Sequence, residues 1–397
     1  MRILLFPRLQ QDIDKFWITV WREMCSALRS KGHNVKIAIA GTPIPGIFDA
    51  PYIHVPIIHA KFFRLITFWA LGFLKFIVHY SKFRPDVLVL DIFTIWFGLI
   101  PAIFADRRRC LIVLDNRTPF YNEASAKSTT RDILFRLYTR LAYNYCQLLG
   151  GVLTTVTQYH KECISRDFKI DPSIIGVWGN GADILKFNTH NYPACENRFP
   201  WTGKFVVMLH GEMSYNRGIF ESIRAMSLIK ENNIALVLIG SAINNDKIDI
   251  EIDALIHTLD LSQKVHRIPY VPHGDIPRYL SSADCAIMAY PNIEYWNNNN
   301  PVKLSEYLSM GKVIICPLMW TFQHVCGTAK CAVYIDNNKP DIVADAIVYC
   351  YKHRDMMNEW GSEGIKIVKE RFTWQIQAEN LMKFIQDIKN NNENIND

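Results

Sequence analysis

The sequence predicts an α/β protein of two Rossmann-like, doubly wound domains facing each other across a cleft. Three observations lead there. Short apolar runs without internal charge alternate with amphipathic segments along nearly the whole chain, the pattern of β-α-β units around a parallel sheet. The alternation fades once, over "LKFNTHNYPACENRFPWTGK", and then resumes. The length of 397 residues also exceeds what one hydrophobic core ordinarily organises.

The elements follow in order. "RILLF" reads as the first strand, followed by a helix from about Lys15 to Ser30 that Gly32 ends, and "KGHNVKIAIA" carries the next strand. "RPDVLVLD" and "RRRCLIVLD" are further strands, each ending in aspartate, and "GGVLTTVT" is another. The second alternation runs through "FVVMLHG", "IALVLIGS", "VHRIPYV", "CAIMAY", "KVIICP" and "CAVYID". The expected division is a first domain over 1–188, a linker over 189–203 and a second domain over 204–371, with "NNNENIND" a polar, frayed tail. In such sheets ligands gather at the carboxyl ends of the strands.

Composition narrows the class. With 49% apolar and 21% charged residues the chain buries a core rather than remaining disordered. The formal charge of +6 suits anionic phosphates or an anionic membrane surface. No nucleic-acid partner is expected, since there is no interleaved basic and aromatic strand, zinc-finger spacing or helix-turn-helix pattern. The ten cysteines form no CxxC pair and read as reduced, buried thiols. "MRILLFPRLQQ" holds too short an apolar run for a secretion signal, so the expected location is cytoplasmic. Two stretches approach a membrane signal, Leu65 to Val78 among Lys61, Arg64, Lys75, Lys82 and Arg84, and Ile92 to Ala105. Both are shorter than the ~20 residues of a spanning helix. Core-facing helices are the preferred reading, with interfacial membrane contact the alternative for the first.

Two motifs point to chemistry. In "VVMLHGEMSYNRGIFESIRAM" a buried strand ends at His210-Gly211, and Arg217-Gly218 opens a helix. Backbone N–H groups, a helix N-terminus and a guanidinium then meet at a strand end, an arrangement suited to a diphosphate. The bland alternative is a plain helix start with a solvated arginine. In "NNNNPVKLSEYLSMGKVIICP", Asn300 is the expected cap, Pro301 fits the first turn and Gly311 ends the helix. Lys303, Glu306 and Met310 share one face. Glu306 can accept from two adjacent hydroxyls, as a ribose presents them, or can simply pair with Lys303.

Taken in order, "LIVLDNRTPFYNE", "VWGNGADILKFN", "NRG", "VHRIPYVPHGDIPRYLSSADCAIMAY", "PVKLSEYLSMGKVII" and "ERFTW" resemble the motifs of the GT-B retaining glycosyltransferases called family four. The resemblance implies that the last helix, 372–390, crosses back to complete the first domain. It implies that Glu306 holds the nucleotide ribose, and that Arg217 and Lys303, with Gly211 and the amides near Pro301 and Val302, hold the diphosphate and stabilise the charge that builds on it. Backbone near Tyr270 and Val271 would meet the base. Asp115 and Arg117 would position donor sugar or acceptor, their alternative being a strand-end aspartate paired with its neighbouring arginine.

Departures are as informative. The family's arginine after the strand-end glycine is Glu212 here, and the glutamate eight positions before Glu306 is Asn298, which can still bond a sugar hydroxyl, with Glu294 as a substitute. "PRLQQDIDKFW" lacks the family's paired glycines, so Arg8 or Gln11 is expected to reach the donor instead. Asp12-Ile13-Asp14 spells a manganese D-x-D, but capping is preferred and no metal is expected. His210 is read as structural or as a sugar contact, and His160 and His273 have no assigned partner.

The expectation is thus a metal-independent, hexosyltransferase-type retaining enzyme of surface polysaccharide synthesis, with no cofactor beyond its UDP- or GDP-sugar co-substrate. Its acceptor would be a glycan or a lipid-linked glycan, and it would lie peripherally at the inner face of the membrane. A sugar-nucleotide epimerase of the same fold and a non-catalytic sugar-binding subunit are the alternatives. A nicotinamide-dependent dehydrogenase is excluded by the lack of a G-x-G-x-x-G run.

Overall fold

The computed structural model describes residues 1–9, 15–41, 52–58, 60, 63–103, 110–118, 130–192, 199–243 and 245–396. Gln11 and the D-x-D at Asp12–Asp14 lie outside them. The chain forms two compact units, the first from Met1–Phe120, Lys127–Asn180 and Trp374–Asp397, the second chiefly Gly181–Thr373.

The first unit contains β1 (Arg2–Leu5), α1 (Lys15–Ser30), β2 (Asn34–Ala40), β3 (Tyr52–Val55), α2 (Phe63–Phe83), β4 (Val87–Leu90), α3 (Leu99–Ile103), β5 (Leu111–Asn116), α4 (Thr130–Leu148), β6 (Val152–Thr155), α5 (Gln158–Phe168) and β7 (Ile175–Val177). Its seven strands are parallel in the order β3-β2-β1-β4-β5-β6-β7. β4 and β5 are buried along their whole length, which is why they read as continuous apolar runs rather than alternating ones. The edge strands β3 (YIHV) and β7 (IGV) did not stand out in the sequence because His54 and Gly176 interrupt their apolar runs.

The second unit contains β8 (Phe205–His210), α6 (Ile219–Leu228), β9 (Ile234–Ile239), α7 (Asp246–Thr258), β10 (Val265–Ile268), α8 (Ile276–Ser281), β11 (Cys285–Ile287), α9 (Glu294–Asn297), α10 (Val302–Ser309), β12 (Val313–Pro317), α11 (Trp320–Cys326), β13 (Ala332–Ile335), α12 (Pro340–Lys352) and α13 (Met357–Arg371). Its six parallel strands run β10-β9-β8-β11-β12-β13, so the order reverses between β8 and β11. That reversal is the topological switch point where ligands of doubly wound sheets bind.

The division falls at Asn180–Gly181, before the expected 188, because Ala182 and Phe187 are buried in the second core and Ala182 bridges to Thr373. Within the expected linker, Trp201 belongs to that same core. The last helix, α14 (Trp374–Asn396), packs on α1 and β7 of the first unit. It is longer than 372–390, so the polar tail continues the helix as far as Asn396.

α2 is also longer than its apolar run suggests. Its 21 residues bury Phe68, Gly72, Phe76, Tyr80 and Phe83 on one face and expose Leu65, Ile66, Phe73, Leu74 and Val78 on others. Lys75 interrupts the apolar run without breaking helical periodicity, and among the described residues α2 is the one helix long and apolar enough to span a bilayer. In the second stretch Ile92, Ile95, Phe97 and Ile100 are buried while Leu99 is exposed. The cysteines among the described residues are buried free thiols.

Candidate donor site at the switch point of the second sheet

Glycine builds the floor of the site. Gly211 follows β8 with φ +114°, a conformation that side chains rarely adopt, and a Cβ there would stand 3.0 Å from the Lys303 Nζ. Gly218 has φ +70°, and a Cβ on it would overlap the Ala289 carbonyl just beyond β11. The start of α6 therefore seats against the end of the neighbouring strand only because residue 218 has no side chain. Lys303 itself is almost buried, and its Nζ lies 5.7 Å from the centroid of the Tyr290 ring.

Arg217 sits at this helix start, as the sequence implies, but its guanidinium is engaged. Nη2 donates to Glu212 Oε2 at 2.9 Å, Nε donates to Ser214 Oγ at 3.1 Å, and the group lies 5.4 Å from the Trp296 ring. The carboxylate that stands where the family has a second arginine thus closes on the arginine that remains.

Glu306 lies one turn along α10, 3% exposed. His273 Nε2 bonds its Oε1 at 2.5 Å, and His210 Nε2 approaches its Oε2 at 3.4 Å. Burial raises the Glu306 pKa, but the His273 contact, with Lys303 nearby, outweighs burial and holds it below the ordinary carboxylate value. Burial pushes His210 down to about 3 against the pull of Glu306, so this imidazole is neutral at pH 7. The His210 Nε2 and His273 Nδ1 atoms are buried without a hydrogen-bond partner among the described residues. A buried carboxylate ringed by two under-satisfied imidazoles is an arrangement that hydroxyl groups would complete. The backbone N–H of His210 donates to the Tyr307 hydroxyl at 2.9 Å, which ties β8 to α10 and fixes His210 beside Glu306.

The asparagine run serves a different purpose from the one its sequence suggests. Pro301, with φ −64° and ψ 123°, is the N-cap of α10, and no side chain caps it, so Asn300 is not the cap. Asn297 Oδ1 accepts from the Trp320 N–H and the Asn299 carbonyl from Thr321 Oγ1, so these residues lace the loop to the start of α11. Asn298 is fully buried and its Nδ2 donates to the Glu294 carbonyl at 2.8 Å. It does not present its amide to a sugar in this conformation, and the reason is local: the amide closes the turn of α9. Glu294 is exposed in the first turn of that helix. Tyr270 is 66% exposed and Val271 half-buried, in the segment that leads to His273. Pro301 and Val302 stand at the N-terminus of α10, beside Lys303.

In the first unit, Asp115 and Arg117 end β5 in a buried polar network rather than on an open surface. Asp115 Oδ1 accepts from Thr154 Oγ1 at 2.6 Å and from Trp178 Nε1 at 3.0 Å. Arg117 Nη2 donates to Asn180 Oδ1 at 2.7 Å, and its guanidinium stacks 3.5 Å from the centroid of the Trp178 ring. Burial raises the Asp115 pKa to about 6, restrained by Arg117, and lowers that of Arg117 to about 10. Arg8, expected to reach a donor, lies over the Phe93 ring at 3.7 Å while its backbone N–H donates to Asp91.

His273 is the residue that sequence reasoning missed. It is 33 positions from Glu306, and no local period connects them. The one available signal was topological: both lie beyond the carboxyl ends of strands, β10 and β11, of the same sheet.

A doubly wound pair of units, one with a switch point that gathers a helix N-terminus, two cations and a buried glutamate, has the features of a class of proteins that bind nucleotides. The sequence matches the family described as Glycosyltransferase Family 4 over residues 19–185 and that described as Glycosyl transferases group 1 over residues 196–367. The chain belongs to the group 1 glycosyltransferases of GT-B fold. No curated protein sequence matches it. Solved structures of the same fold include a glycosyltransferase from Rickettsia africae, 15% identical, covering 98% of this chain and 99% of that one with a TM-score of 0.74. HepE of Anabaena in complex with UDP is 13% identical, covering 98% and 100%, with a TM-score of 0.74. Sucrose-phosphate synthase of Thermosynechococcus elongatus is 14% identical, covering 98% and 99%, with a TM-score of 0.76.

Proposed function

We propose that the protein transfers a sugar from a nucleoside-diphosphate sugar, UDP-linked in preference to GDP-linked, to a glycan or lipid-linked acceptor with retention of anomeric configuration and without a metal. The observation that carries the donor half is Glu306, buried and ionised, with one oxygen held by His273 and the other facing His210. A ribose offers two adjacent O–H donors to the carboxylate and an acceptor to the His210 Nε2. Lys303 and Arg217, with the N-termini of α10 and α6, would stabilise the charge that builds on the departing diphosphate. That leaving phosphate would take the acceptor proton, so no side-chain nucleophile is needed. UDP is favoured because structural neighbours of the same fold were solved with UDP and with UDP-glucose.

A position at the inner membrane face draws on α2, where exposed Leu65, Ile66, Leu74 and Val78 adjoin exposed Lys75, Lys82 and Arg84, and surface polysaccharide synthesis is proposed with it. Asp115 and Arg117 are assigned to positioning through the network they hold. The non-catalytic alternative draws on one observation, the Glu212 carboxylate closed on Arg217. Incubation with a panel of UDP- and GDP-sugars and lipid-extracted acceptors, with the product anomer read by NMR, separates these readings. Retained configuration in a new glycoside supports transfer; nucleotide binding without any turnover supports the subunit; donor turnover without acceptor supports an epimerase.

A further inference from the structure

Glu306 cannot be reached as the site stands. Its side chain is 4% exposed, whereas that of His273, which covers Oε1, is 35% exposed. His210 on the other side is buried at the end of β8 and tied by its backbone to Tyr307. Of the groups around the carboxylate, His273 is therefore the one with somewhere to go. It starts a three-residue helical turn, His273–Asp275, held by the Asp275 N–H on the Pro272 carbonyl. Gly274 beside it has open space where a Cβ would stand, and Pro269, Tyr270, Pro272 and Asp275 are all exposed. On its inner side His273 meets the Phe187 ring, 5.3 Å between centroids.

We infer that His273 is the gate of the ribose subsite: its imidazole occupies Glu306 Oε1 in the free protein and must swing out, with the 269–275 segment, before a nucleotide's vicinal hydroxyls can take its place. This rests on the reading of Glu306 as the ribose residue. The contact is a charge-assisted hydrogen bond to a buried carboxylate, and the nucleotide binds only the fraction of molecules in which it is open. Apparent affinity is reduced by that fraction, so removing the imidazole removes the penalty. The penalty falls on association, since the open form is the one that meets ligand.

The test is binding of UDP and of GDP to the full-length protein and to His273→Ala, His273→Gln and Glu306→Ala, by calorimetry with stopped-flow rates. The expected result is that His273→Ala binds about tenfold tighter through a faster association rate with dissociation unchanged. His273→Gln, whose amide can still donate to Glu306, stays near wild type. Equal or weaker binding by His273→Ala, alongside loss of binding in Glu306→Ala, overturns the gate and leaves the ribose reading intact. Wild-type affinity in Glu306→Ala, or no nucleotide binding by any of the proteins, overturns the ribose reading and the gate together.

Discussion

If Arg217 holds the donor diphosphate as proposed, then Glu212, which engages its guanidinium, competes with the donor, and removing that carboxylate is expected to improve binding. The pair spans 2.9 Å, with the arginine side chain 16% and the glutamate 35% exposed. A partly solvated pair of this kind contributes up to about 1 kcal/mol, and a diphosphate that claims Arg217 has to break it. Glu212→Gln keeps the shape and removes the charge, so Kd for UDP is expected to fall up to about fivefold. Repulsion between the carboxylate and the phosphates acts in the same direction and is screened by salt, so the gain shrinks between low and high ionic strength. Calorimetric titration of Glu212→Gln, Arg217→Ala and the double variant closes a cycle. If most of the effect runs through Arg217, Glu212→Gln gains clearly less in the Arg217→Ala background, where only the salt-screened repulsion is left to relieve. Weaker binding by Glu212→Gln, or an equal gain with and without Arg217, refutes the reasoning.

Other predictions follow from the same geometry. Gly218→Ala meets both a positive φ and the Ala289 carbonyl, so the variant loses several °C in Tm and its nucleotide affinity, measured by thermal melts with and without UDP. Lys303→Met leaves the fold in place but lowers kcat for transfer by about 10²–10³, the cost of one electrostatic stabiliser, read with saturating donor. Burial holds the His160 and His210 pKa values at about 3 against an ordinary 6.5. Their neutral forms stabilise the fold fully above pH 6.5, and that stability is lost as pH falls from 6.5 towards 3, by about 1.4 kcal/mol per pH unit for each group. Denaturant titrations between pH 7 and 5 should show this slope in wild type and about one proton less of it in His160→Gln; an unchanged slope contradicts the assignment.

What the sequence made legible was local. Lys303 and Glu306 sit one turn apart on a helix whose apolar positions repeat at 3 and 4, so their shared face could be read directly. Arg217-Gly218 marked a helix start because few residues other than glycine tolerate φ +70° there. The partners were not legible. Glu212 reaches Arg217 through a loop with no periodicity, and His273 reaches Glu306 across 33 residues through the return from β10. The asparagine run misled for a related reason. Each asparagine can cap a helix, close a turn or bond a ligand, and only tertiary packing decided that Asn298 turns inward while Pro301 becomes the cap. In the same way the apolar run Leu65 to Val78 marked a helix but not its extent, because the helix continues at its ends through polar residues, Arg64 before the run and His79, Ser81 and Lys82 after it.

The most direct test of the donor-site assignment is calorimetric binding of UDP and GDP, without metal, to the wild-type protein and to Glu306→Ala. Micromolar binding of UDP that is lost in the variant is the result expected here. Equal binding by both proteins, or by neither, contradicts a donor site built around Glu306.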